Sequence, residues 1–268
     1  MRAFLLSLSG QFQAIFIISA TLTSAFISAI LFGLCFDTQQ LISNTDLISS
    51  VYQVMGTVYA ILLTFTLWGV WQNFTEAKDS VQNEVYALLD LVHIWEAAPH
   101  IKNIHLRQAA LSYCTQVIEQ EWPLLKNYNT SLINQRESSH SIASGVTHAV
   151  HQISPDSAHE NILFGQALNM LTRWLDARRT RLLIARGDSA RAIWPLLFIG
   201  ALILFAFNGL FVAKTIIIWA SLLFGISLVI GVTFYLIFTL DCPFAGKLSI
   251  DSEPFTLAID LLKSKDML

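Results

Sequence analysis

Four stretches without a single Asp, Glu, Lys or Arg constrain this chain more than anything else in it: Phe12 to Phe36, Val51 to Gln72, Ala192 to Ala213 and Thr215 to Leu240. A helix rises about 1.5 Å per residue, so a run of about 20 residues or more crosses a hydrocarbon layer about 30 Å thick. The four spans account for the excess of apolar residues, 54% of the chain against 13% charged. The chain reads as an all-α integral membrane protein with four transmembrane helices in two hairpins and a helical cytoplasmic domain.

Charge sets the orientation. Of the 16 Lys and Arg, 11 lie between spans two and three, whereas the loop from Asp37 to Ser50 has none and the connection between spans three and four has only Lys214. The positive-inside bias places both termini and the middle segment in the cytoplasm. A cleaved signal peptide is not expected at the N-terminus, because the apolar run continues to Phe36, well beyond a signal's usual 7–15 residues or so. The formal net charge of −3 gives no footprint for a nucleic-acid partner.

These signals divide the chain into a first transmembrane hairpin over 1–73, with helices at about 12–36 and 51–72, and a cytoplasmic helical region over 74–191. A second hairpin follows over 192–240, with helices at about 192–211 and 215–240, then a cytoplasmic C-terminal segment over 241–268. Nothing breaks the helix from span two through Ala98, before Pro99, so span two is expected to continue into the cytoplasm. Val81, Val85, Leu88, Val92 and Trp95 form a packing seam there. A second cytoplasmic helix, about 101–125, carries Leu106, Ala110, Tyr113 and Val117 on one face. A third, about 160–186, carries Phe164, Leu168, Leu171, Leu175 and Leu182. Asn127 to Pro155 reads as a polar loop with room for one short helix, and after span four the Pro and Gly positions predict a turn that folds back Phe244 and Phe255.

Catalytic signatures are absent: no phosphate loop, HExxH, CxxC, nucleophile elbow or dinucleotide fingerprint occurs, so neither an enzyme nor a cofactor is expected. His140, His148, His151 and His159 are read as polar residues rather than metal ligands, since no carboxylate or Cys completes a set at helical spacing. Cys35, Cys114 and Cys242 are read as buried bystanders. Arg173, Arg178, Arg179, Arg181, Arg186 and Arg191 run into span three, and two readings stand. They set topology and meet anionic headgroups, or Arg178, Arg179 and Arg181 form an electrostatic mouth that concentrates anions. In span two, Thr57, Ile61 and Phe65 share one stripe at steps of four; the stripe serves helix packing or, repeated around an axis, a narrow apolar throat.

YAILLTFTLWGVWQNFTEA in span two, VIEQEWPLL in the second cytoplasmic helix and LDCPFAG after span four resemble the bacterial bestrophin-like family of unknown function over nearly the whole chain. More distantly, LLTFTLWGVWQNFTEAK resembles the segment running out of the neck helix of bestrophin channels, and PFAG resembles the Pro-Phe-Gly after their last membrane helix. This resemblance implies a homo-oligomer, a pentamer around a central ion pore, with Thr57, Ile61 and Phe65 at the neck and Glu76 and Lys78 in the widening vestibule. The acidic calcium clasp of animal bestrophins is not carried over, since only Asp251 and Glu253 are at hand. Thr57 stands where a larger apolar residue is common, which leaves the choice between anions and cations open. The expected partners are therefore membrane lipids, further copies of the chain and inorganic ions. The alternative is a membrane-anchored scaffold or sensor whose cytoplasmic helices bind another protein; a coupled transporter has no intramembrane charge to work with.

Overall fold

In hydrocarbon no water can bond a free N–H or C=O, so a charge-free stretch closes its backbone hydrogen bonds as a helix. The computed structural model describes residues 10–36, 41, 43–96, 104–127, 136–155, 157–185, 193–211, 215–246 and 248–264, with backbone alone at 104 and 136–141. These residues form nine α-helices and one π-helical turn. The helices are α1 (Gly10–Gly33), α2 (Thr45–Glu96), α3 (Ile104–Gln116), α4 (Trp122–Lys126), α5 (Arg136–His151), α6 (Ala158–Ala185), α7 (Trp194–Asn208), α8 (Ile216–Leu240) and α9 (Glu253–Ser264), with the π turn at Val117–Glu121. Pro99, Arg186, Arg191, Lys214 and the side chain of His140, which the sequence reading uses, lie outside the described residues. Two units result, one from 1–73 with 187–241 and one from 74–186 with 242–268; the first boundary falls inside α2.

In the first unit α1, α2 and α8 are long and apolar enough to cross a membrane. The third apolar span is shorter than its sequence predicts. Helix α7 holds 15 residues, about 22 Å against a hydrocarbon layer of about 30 Å. Pro195 sits in its first turn, and at its end the Gly209 N–H bonds back to Ala206 O.

In this unit α1 lies along α7 and α8 rather than along α2, and α7 also contacts α8. Small residues explain the choice. Thr21, Ala25 and Ala29 are buried at steps of four, Gly33 continues the line, and such a seam lets backbones approach closely where lipid leaves no hydrophobic drive between helices. A Cβ at Gly209 would lie 1.9 Å from Ala29 O, one at Gly33 2.6 Å from Gly209 O, and one at Gly231 3.3 Å from Ile18 Cα. Gly209→Ala is therefore expected to lower stability by about 1–3 kcal/mol through backbone displacement. Gly225→Ala, where an added Cβ meets nothing within 4 Å, should leave the melting temperature in detergent unchanged. Equal melting of the two variants would refute the close seam.

The second unit has an apolar core built as the seams predict. Val81, Val85, Leu88, Val92 and Trp95 of α2 are buried, as are Leu106, Ala110 and Tyr113 of α3 and Val117 in the π turn. Helix α6 starts with a capping box: Ser157 Oγ accepts the Glu160 N–H at 3.1 Å, and Glu160 Oε2 accepts the Ser157 N–H at 3.2 Å. Its buried face differs from the sequence reading. The line is Ala167, Leu171, Trp174, Arg178 and Arg181, and Leu168 lies outside it. The segment read as a loop contains α5, 16 residues long, which buries Ala143, Val146 and Val150. Past α8, Gly246 takes φ 96°, a conformation that favours glycine, and the Ile250 N–H closes the turn onto Pro243 O at 2.8 Å. Phe244 and Phe255 both meet Trp122, with ring centroids 5.8 and 5.7 Å away.

Candidate functional site

Two constellations stand out, one in each unit. In the first, α2 turns an apolar stripe outward: Val54, Thr57, Val58, Ile61, Phe65 and Trp68 are all exposed, Ile61 at 51% and Phe65 at 70%. Steps of three and four hold them on one side. The three expected neck residues thus share an uncovered face, and Val54, Val58 and Trp68, which the sequence reading did not include, widen it. The Thr57 hydroxyl donates to Gln53 O at 2.9 Å, so its hydrogen is used within the helix.

The opposite side of α2 is held. Tyr59 is buried, its hydroxyl donates to Leu197 O at 2.9 Å, and its ring lies where a Cβ on Gly200 would be, 2.6 Å from the nearest ring carbon. Two helical turns earlier, Tyr52 accepts from Asn208 Nδ2 at 3.3 Å and meets Phe211 edge to face at 5.1 Å. Two tyrosines of α2, bonded to Leu197 and Asn208 of α7, therefore fix the rotation of α2 and decide which residues face outward. Farther along α2, Glu76 and Lys78 are both exposed. Residues two apart do not share a helix face, and only Glu76 continues the stepwise line from Phe65 through Trp68 and Gln72.

In the second unit Glu84, Tyr113, Glu121, Arg178 and Arg181 come together in the core. Arg181, fully buried, donates from Nε to Glu84 Oε2 at 2.6 Å and from Nη2 to Glu84 Oε1 at 3.0 Å and Glu121 Oε2 at 2.9 Å. Arg178 donates from Nη1 to the Tyr113 hydroxyl at 2.7 Å and to Glu121 Oε2 at 3.2 Å, and from Nη2 to Glu121 Oε1. The Tyr113 hydroxyl donates to Glu84 Oε1. Two cations face two carboxylates, so the cluster is neutral as a whole. The rings of Trp122 and Phe255 each lie 5.7 Å from the Arg181 guanidinium carbon, and Trp174 meets Tyr113 edge to face at 4.8 Å.

The π turn supplies Glu121. Pro123 has no N–H, and in an α-helix its ring would press on the carbonyl four residues back. The wider turn just before it keeps Glu121 on the face already used by Tyr113 and Val117.

This geometry corrects the electrostatic mouth. Arg178 and Arg181 are 4% and 0% exposed and have their carboxylates inside the fold, so they offer no open field to passing anions. Arg179 is exposed and pairs with Asp176 at 3.3 Å. Sequence spacing held the signal: the steps Ala167, Leu171, Trp174, Arg178, Arg181 alternate four and three, as a buried seam does.

Burial alone would raise the Glu121 carboxyl, but Arg181 and Arg178 outweigh it and hold it below its ordinary value. Burial and the neighbouring Glu84 push the Tyr113 phenol well up, which keeps it a neutral donor. A carboxyl depressed in the folded state contributes stability above its unfolded pKa, about 4.3 for Glu, and loses it as pH falls through the folded value. Acid titration of the melting temperature should therefore show a loss below that range that Glu121→Gln lacks; identical acid limbs would refute the coupling.

Cys114 is buried and its thiol is pushed up to about 12, first by burial and then by Glu84. Cys242 is buried as well, whereas Cys35 is exposed, which corrects its reading as a buried bystander. It lies just past the end of α1, where its thiol donates to Leu31 O. His148, His151 and His159 are exposed, and among the described residues no group of three or more His, Cys, Asp or Glu is placed to hold a metal.

Comparison with known proteins agrees with the helix order. No curated protein matches the chain. Among solved structures, a substituted form of a bacterial bestrophin homologue from Klebsiella pneumoniae superposes with a TM-score of 0.66 at 15% identity, covering 95% of this chain and 99% of that one. A substituted membrane protein of unstated source reaches 0.67 at 14% identity, covering 96% and 99%. Another gives 0.66 at 16% identity, covering 94% and 98%. At such identity these likenesses establish the fold. The family model described as a bestrophin-like domain matches residues 19–255, nearly the full length, and the chain belongs to the bestrophin-like family.

Proposed function

We propose that copies of this chain assemble as a ring, five in number, around an axial pore for inorganic ions in a bacterial inner membrane. The first part of α2 turns Thr57, Ile61 and Phe65 toward the axis. The observation that carries this reading is the division of α2 into a side engaged through Tyr52 and Tyr59 and an apolar side that no helix among the described residues of its own chain covers. Rings of Ile61 and Phe65 form a constriction that closes by losing water, and Thr57 forms a less apolar ring at the outer end. No buried ion pair is required, and symmetry multiplies each ring.

Both termini and the second unit are cytoplasmic in this arrangement, following the distribution of Lys and Arg. Glu76 lines the widening vestibule, where a ring of carboxylates raises the local cation concentration. Lys78 points away from that line. Family resemblance supports the five-fold ring and the pore.

Purified particles viewed down the membrane normal test the assembly. Five copies with a central opening are expected, with Ile61 and Phe65 at its narrowest part. A monomer or dimer without an opening would sink the proposal and favour the scaffold.

A further inference from the structure

Tyr59 reaches from α2 to the backbone of α7 and meets it at two places about one helical turn apart. Its hydroxyl donates to Leu197 O at 2.9 Å, and its ring fills the space of a side chain at Gly200, where a Cβ would stand 2.6 Å from Cε2 and 2.8 Å from Cδ2. Residues three apart share a helix face, so both contacts use one side of α7. The ring has little room to yield. Tyr59 is 6% exposed, and swinging clear of an added methyl group would pull its hydroxyl off the carbonyl and leave a buried donor unmet. Tyr59 is thus a strut of fixed length, and the glycine at 200 sets how deep its end sits.

The strut stands behind the exposed stripe. At 3.6 residues per turn or so, Trp68, Ile61 and Phe65 lie about 180°, 200° and 240° round the helix from Tyr59, and all three are exposed. Thr66 and Val70, within about 20° of Tyr59 by the same geometry, are buried. A push along the strut therefore moves α2 toward its uncovered face. Relieving the 2.6 Å approach to an ordinary carbon contact of about 3.5 Å takes about 1 Å of movement.

We infer, resting on the pore reading, that Gly200 is a positioning residue for the neck: the seat it leaves for Tyr59 sets the bore between the rings of Ile61 and Phe65. A side chain at 200 drives α2 of every copy toward the axis and narrows the constriction. A shorter side chain at 59 lets α2 settle back against α7 and widens it. Repeated around the ring, a movement of this size changes an apolar throat whose wetting depends on its width.

The test uses the full chain in liposomes with two readouts: ion flux, and the permeability of a large ion relative to a small one, tetramethylammonium over sodium and gluconate over chloride. Gly200→Ala is expected to lower flux about tenfold, the effect of about 1.4 kcal/mol on the barrier, and to lower the ratio for the sign of ion that passes. Tyr59→Leu should raise both. The double variant should return toward the parent protein, a compensation that general damage to the fold does not produce. Gly225→Ala, whose added Cβ meets nothing within 4 Å, is the control and should change neither readout. Elution with the parent protein shows that the assembly is retained. Should Gly200→Ala fail to assemble, Tyr59→Leu decides alone, and flux and ratio no higher than the parent's overturn the inference. So does a loss in both single variants that simply adds in the double. A parent protein that passes no ions refutes the pore reading and this inference with it; a conducting parent whose flux and ratio ignore both substitutions refutes the seat alone.

Discussion

Phe65→Ala is expected to raise ion leak through reconstituted liposomes about tenfold, which corresponds to removing about 1.4 kcal/mol from the barrier to ion passage. The phenyl ring is 70% exposed on the stripe of α2 that Tyr59 leaves uncovered, so its removal widens the stripe without opening the chain's own core. In a ring of copies the same loss occurs at every position around the axis. Removing part of the apolar lining both widens the constriction and favours its wetting. Val229→Ala on α8, which also trims an exposed apolar side chain, is the control and should leave flux unchanged. Equal flux and gating in the two variants would exclude Phe65 from the constriction.

Arg181→Leu should destabilise the second unit by about 3–5 kcal/mol, because it leaves Glu84 and Glu121 buried without their shared cation. A change of this size lowers the melting temperature of a unit of this length by about 10 °C or more. The buried thiol of Cys114 offers a direct readout, since its reaction with a maleimide reports opening of this core while exposed Cys35 reacts at once. Adding Glu84→Leu removes the stranded carboxylate and should recover a large part of the loss, as buried ion pairs are often no better than apolar packing of similar volume. If Arg181→Leu melted with the parent protein, the cluster would have no role in holding the fold.

Much of the architecture was legible because it repeats one residue type at one spacing. The buried line Val81, Val85, Leu88, Val92, Trp95 is uniformly apolar, and span two continues into it without a break. Phe65, Ile61 and Thr57 were read as one stripe in the same way, and they share one exposed face of α2. Where type and spacing disagreed, the reading followed type. Leu168 was placed inside and Arg181 outside, although the four-three rhythm through Trp174 runs over the arginines. Their partners stand on other elements, Glu84 on α2 and Glu121 on the π turn, and nothing in the spacing along α6 points to them. Helix α5 was read as at most one short helix in a polar loop, because Ser, His and Gly surround its core residues Ala143, Val146, Ala149 and Val150. Chain order likewise suggested that span one pairs with span two. The contact is decided instead by where small residues let two backbones meet, and those partners, Gly209 and Gly231, lie far along the sequence.

That last arrangement has a consequence for biogenesis. Helix α1 ends at Gly33 and its partner α8 at Leu240, so about 200 residues are translated between them, a delay of about 10–40 s at 5–20 residues per second. Until α7 has been made, about 160 residues after Gly33, the small-residue groove of α1 has only lipid or insertion machinery against it. The first unit thus cannot close until α8 is made, by which time all of the second unit except 242–268 has already been translated.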